Sequence, residues 1–176
     1  MASYTFLGNP PPNVQEWIKN HYGPKLDEPL FFEANEAGAS VAMLCFDDYN
    51  YEQTSLKCHL QYSIDKMATW EIYDGSTVEL DDCTDNRVYF RADPANPNTN
   101  GFCKQDYEHE EAWTHYFKTN GSVKAGGNIQ FLLESTGTRI DVPEFGFCYL
   151  FGYNGECSSL ISAPELPAKT LVAGCY

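Results

Sequence analysis

Between residues 30 and 92, apolar and polar side chains alternate in short runs, and clusters of Gly, Asp, Asn and Ser cut the runs apart. A period of two is the pattern of a strand with one buried face. The runs fall at residues 30–34, 40–45, 57–64, 70–73, 77–80 and 87–92. Asp74-Gly75 separates two of them. Asp-Gly between alternating runs predicts a hairpin with a type I′ turn, whose two central residues both need positive φ. A second hairpin is predicted from residues 114–119 and 122–125 around Asn120-Gly121, and residues 128–134 read as a strand or a short helix. Residues 92–111 read as loop, and the Asn- and Pro-rich stretch 93–101 within them suits no regular element. The expected fold is mainly β, a small antiparallel β-sandwich of immunoglobulin-like architecture.

The amino-terminal segment has a different period. After Pro10-Pro11-Pro12, Asn13 is a good N-cap with Glu16 as its capping-box partner. Val14, Trp17, Ile18 and His21 then follow at helical spacing, and Gly23-Pro24 supplies a stop. A short helix over residues 14–22 is predicted. Alone it is marginal in water, so its apolar stripe must dock on the body or on another subunit. Lys19 and Lys25 against Glu16 leave the first 25 residues at about +1, setting His21 aside.

The chain as a whole carries 25 acidic and 11 basic residues, a formal net charge of −14. That charge repels nucleic-acid backbones and anionic lipid, so neither nucleic acid nor membrane is an expected partner. The 26 aromatic residues exclude a disordered acidic chain. Leu, Ile, Val and Phe together supply only 37 of 176 residues, so Tyr, Trp, Ala and Cys must help fill the core. The start has neither a basic n-region nor an apolar h-region, and the seven cysteines contain no C-x-x-C pair. Cytoplasmic synthesis with reduced, buried thiols is expected.

Leu60-Gln61-Tyr62-Ser63-Ile64-Asp65, Trp70-Glu71-Ile72-Tyr73 and Arg87-Val88-Tyr89-Phe90-Arg91-Ala92 occur in an order that resembles one known family. It is the β-domain preceding leucine-rich repeats in BspA-like proteins of gut Bacteroidales and their phages. The tail, with Cys148-Tyr149-Leu150-Phe151 and Cys157 through Leu171, is similar to the repeat unit of that class. The resemblance covers roughly residues 29–176 and implies an adhesion module with a β-sandwich at 29–134 and a partial repeat at 135–176. Residues 1–25 do not belong to that class; their Pro-rich lead and short capped helix are similar in layout to the assembly anchor of a phage virion protein. Repeat architectures need about three stacked units, and this chain holds about one, so the family's concave recognition surface does not carry over.

Few residues suggest chemistry. Glu108-His109-Glu110-Glu111 with His115 is the densest set of candidate ligands, but its spacing is not H-E-x-x-H and reads as a solvated acidic loop. Asp47-Asp48 and Asp81, Asp82 and Asp85 lack the EF-hand order of ligands. Cys58-His59 is placed within a predicted strand, where the two side chains point to opposite faces. No catalytic residue, metal ligand or cofactor is assigned. Trp70 and Trp113 are candidates for a glycan platform. Val14, Trp17 and Ile18 are the candidate assembly interface. The expected function is a structural protein of a bacteriophage virion, a head fibre or capsid decoration assembled in the host cytoplasm. Its partners would be capsid proteins, further copies of itself and a host-surface or mucosal glycan. The alternative is an adhesin or glycan-binding module on the bacterial cell surface.

Overall fold

The computed structural model describes residues 27–139, 141–153, 156–157 and 159–166. The predicted helix with Val14, Trp17 and Ile18 lies outside them. The alternating runs become β1 (Leu30–Ala34), β2 (Ser40–Asp47), β4 (Leu60–Ser63), β5 (Glu71–Ile72), β6 (Val78–Glu79) and β7 (Arg87–Ala92), with β3 (Glu52–Thr54) added. After them come β8 (Cys103–Asp106), β9 (Glu111–Asn120), β10 (Val123–Gly126), β11 (Gly152–Tyr153), β12 (Glu156–Cys157) and β13 (Leu160–Ser162). β8 falls within the stretch expected to be loop and is a strand by pairing along β9. The protein is mainly β. Its helical pieces among the described residues are 3-10 turns, the longest being Ile129–Leu132 where a strand or short helix was expected.

Two sheets contain most of the strands. One runs β13-β10-β1-β7-β4-β5, and the other runs β3-β2-β9-β8 with β6 also paired to β2. All pairings are antiparallel except β10 with β13. The facing side chains form one core, with Leu30, Phe32, Val88 and Phe90 from the first sheet and Val41, Met43 and Phe117 from the second. Phe117 sits 4.7 Å from Phe32 and 5.3 Å from Phe90, ring centre to ring centre. Cys58, Cys83 and Tyr73 fill space in the same core, as the scarcity of aliphatic residues requires.

Neither Asx-Gly pair makes the hairpin expected of it. β5 pairs with β4 and β6 with β2, so the chain at Asp74-Gly75 passes from one sheet to the other. β9 pairs with β2 and β8, while β10 pairs with β1 and β13. Gly75 and Gly121 have φ of +95° and +76°, but neither Asp74 nor Asn120 is among the residues with positive φ. A type I′ turn needs both. The β9–β10 corner instead runs beside the β1–β2 corner, joined where Asn35 N–H donates to Ser122 O at 2.9 Å.

The chain beyond residue 134, set apart in the sequence as a partial repeat, contributes to this same body. Val142, Phe147 and Leu150 enter the common core, and β13 adds a strand beside β10. Leu150 O accepts from Phe117 N–H at 2.7 Å, so the tail also lies along β9.

Candidate functional site

Trp113 lies on β9 at the register position shared by Asp47 of β2 and Lys104 of β8. Period-two alternation puts it on the same face as His115 and Phe117. Phe117 is sealed in the core, whereas Trp113, nearer the end of the sheet, remains half-buried. His115 between them is fully buried. Its Nε2 accepts from Lys57 N–H at 2.9 Å, and its Nδ1 is 3.0 Å from Phe102 O. Since the Lys57 amide can only donate, Nδ1 must carry the ring proton and donate it to Phe102 O. Burial pulls the imidazole pKa down to about 4, so the ring is neutral at pH 7. Trp113 packs edge-on against it with ring centres 4.9 Å apart. The indole thus rests on a support held at both nitrogens.

Trp113 borders two open clefts. One, of about 500 Å³, is lined by Asp47, Lys57, Asn100, Gln105 and Glu144 among others. The second, of about 420 Å³, lies against the Asn-Pro loop and includes His59, Asn96 and Asn98. Lys57 and Asn100 belong to both. The loop is held in place by Asn98, whose Oδ1 accepts from His59 N–H at 2.8 Å and whose Nδ2 donates to Leu132 O at 2.9 Å. Asp93 secures its start by accepting from Asn96 Nδ2, which holds that carboxyl below its usual range. Carboxylates dominate the larger cleft: Asp47, Asp106, Glu110, Glu111 and Glu144 face only Lys57 and Lys104, and Lys104 is paired with Glu111.

Trp70 is not brought to this cleft. It lies beside β5 at the edge of the other sheet, with the Arg91 guanidinium 4.0 Å above its ring centre. Arg91 is itself fixed by two hydrogen bonds to Gln61 Oε1 at 3.0 and 2.8 Å. One face of Trp70 is therefore occupied, and the two tryptophans do not make a joint platform.

The acidic clusters serve local ends. Asp47 accepts from the backbone N–H groups of Tyr49 and Asn50, which lowers its pKa. Asp48 is buried and accepts from Thr114 Oγ1 at 2.7 Å and from the Tyr153 hydroxyl. Burial, then that bond to a carboxylate, pushes Tyr153 ionisation well above the ordinary phenol range. His109 is exposed and hydrogen-bonds Asp106 at 2.8 Å, well apart in role from buried His115. Among the described residues, no three Asp, Glu, His or Cys side chains are grouped to hold a metal ion.

Cysteine chemistry at the imidazole is suppressed as well. Cys45 is the cross-strand partner of His115, but both ring nitrogens are committed and burial raises the thiol to about 11. Cys58 precedes β4 instead of lying within it, and its buried thiol meets Met43 Sδ at 3.5 Å. Sequence reasoning missed His115 as the support of Trp113. The signal was present: at period two, residues 113, 115 and 117 share a face. Comparison with known proteins finds no matching family model, no matching curated protein and no matching solved structure.

Proposed function

We propose that the protein is a non-enzymatic attachment protein whose β-sandwich body takes neutral carbohydrate in the cleft at Trp113. The observation that carries this reading is the half-buried indole, held by a doubly bonded neutral imidazole between an acidic cleft and an Asn-rich one. A rigid aromatic face suits the apolar face of a sugar ring, and the Asn, Gln and Lys groups around it suit hydroxyls. The carboxylates of the larger cleft disfavour uronic or sialic acids by like-charge repulsion. Tryptophan fluorescence titrated with neutral and with acidic oligosaccharides tests this. Neutral sugars should shift the emission, and Trp113→Ala should weaken binding by about tenfold or more, equivalent to about 1.4 kcal/mol. Trp70→Ala should leave affinity unchanged. No response to any neutral sugar, or undiminished binding by Trp113→Ala, would sink the reading.

A second reading places the same protein on a bacteriophage virion, as a head fibre or capsid decoration anchored by residues 1–25. The stripe Val14, Trp17 and Ile18 in a near-neutral segment, ahead of a body carrying the acid excess, favours it. The protein should then co-purify with intact particles, and Trp17→Ala should abolish incorporation without changing the melt. Recovery only from host membranes or culture fluid would exclude it.

A further inference from the structure

The tripeptide Gly-Phe-Cys occurs twice, at residues 101–103 and 146–148. The fold lays the two copies side by side. A Cβ on Gly101 would come within 2.5 Å of the Gly146 Cα, so the two backbones touch. Phe102 N–H donates to Gly146 O at 2.8 Å. The rings of Phe102 and Phe147 stack, with centres 6.1 Å apart and planes 17° from parallel. The third pair follows in the same order: Cys103 and Cys148 come next in the two copies, and each thiol lies within electrostatic reach of the other. Both are free. Cys103 is buried on the edge strand β8, beside Thr114 Oγ1 at 3.5 Å, while Cys148 is half-buried in the turns that follow residue 143.

We infer that Cys103 and Cys148 form a site of reversible disulfide modification, whose co-substrate is a small-molecule disulfide such as oxidised glutathione. Cys148 is the attacking group, since it is the more accessible sulfur of the pair; burial raises its pKa, so its attack needs the larger thiolate fraction of mildly alkaline pH. The Cys148 thiolate attacks one sulfur of the small disulfide, forming a mixed disulfide and releasing one small thiolate. Cys103 then gives up its proton and attacks Cys148 Sγ, forming the protein disulfide and releasing the second small thiolate. Two protein thiols are oxidised by two electrons, and one small disulfide is reduced to two thiols. The bond ties β8 to the turn segment beyond residue 143 and closes a long loop of chain, which constrains the unfolded state more than the folded one.

The full chain, reduced and freed of reductant, is incubated with oxidised glutathione at mildly alkaline pH and then alkylated. Peptide mapping should find one intramolecular bridge, Cys103 to Cys148, with the loss of two hydrogens from the intact mass and full reversal by dithiothreitol. The oxidised protein should melt several degrees above the reduced protein. Cys148→Ser should form no bridge and show the same melt with and without oxidant. A persistent glutathione adduct on Cys148, a bridge between any other cysteines of the native protein, or no change in mass would each overturn the assignment. The mapping is done on the unmodified sequence, so its outcome does not depend on how well the variant folds.

Discussion

His115 shows how one side chain can link stability to pH. Its folded pKa, near 4, lies below the ordinary value of 6.5 for an exposed imidazole. Between those two values the unfolded chain binds a proton that the folded chain refuses, so protonation favours unfolding. The stability from a neutral His115 is whole above pH 6.5 and falls as pH drops toward 4. The slope is at most about 1.4 kcal/mol per pH unit for one group. Urea unfolding at pH 7, 6, 5 and 4.5 should show this decline, and a glutamine at 115 should flatten it. Asp65, held near 2 by bonds from Thr69 and Ser63, acts in a separate window below its ordinary value of 3.8. His115→Ala strands the Lys57 amide and leaves a void, while the Phe102 carbonyl keeps its bond from the backbone N–H of residue 115. Its cost at pH 7 should be about 2–4 kcal/mol, read from the urea midpoint. Period two puts His115 on the face of Trp113 and Phe117, but spacing alone does not show which groups its ring nitrogens meet. Those groups belong to Lys57 and Phe102, which are distant in sequence.

Tyr73 does comparable work between elements. β2 is bordered on one side by β6 at Ser40 and Val41 and by β3 from Cys45 onward, which leaves a gap at Met43. The Tyr73 hydroxyl, arriving from the end of β5, fills that gap. It accepts from Met43 N–H at 2.9 Å and donates to Ser76 O at 2.7 Å. Burial raises its pKa to about 12, so it stays a neutral donor throughout the physiological range. Tyr73→Phe keeps the packed ring but leaves the buried Met43 amide unpaired, while Ser76, on an exposed turn, can turn its carbonyl to water. A loss of about 1–3 kcal/mol in urea unfolding is expected. The same hydroxyl holds Met43 of the second sheet and Ser76 beyond the turn, which ties the Asp74-Gly75 turn to the second sheet. Asp74 Oδ1, accepting from Ser76 N–H at 2.9 Å, shapes the turn locally without positive φ at Asp74.

At the scale of the molecule, the segment after residue 134 decides whether the body is closed. Leu150 O caps β9, Ser159 O accepts from Val123 N–H, and β13 covers the outer edge of β10. Phe151 packs against both Phe32 and Phe117, with ring centres 6.4 and 6.3 Å away. Truncation after residue 140 would open these edges and remove Val142, Phe147 and Leu150 from the core, each buried side chain being worth about 1.5–3 kcal/mol. The truncated chain should lose its cooperative thermal transition. A cooperative melt unchanged from that of the full chain would show instead that the tail is a separate unit. Period-two patterning located the strands well: residues 30–34 and 87–92 are β1 and β7 residue for residue, and the run from residue 40 extends to Asp47 as β2. What the amino-acid order determined was therefore local, namely where the chain extends, where it turns and which side chains share a face. Partnership between strands, the crossing of both Asx-Gly turns from sheet to sheet and the meeting of two distant Gly-Phe-Cys segments were decided only by the tertiary structure. Alternation specifies a buried face but not what buries it, and a backbone edge accepts any strand whose side chains pack.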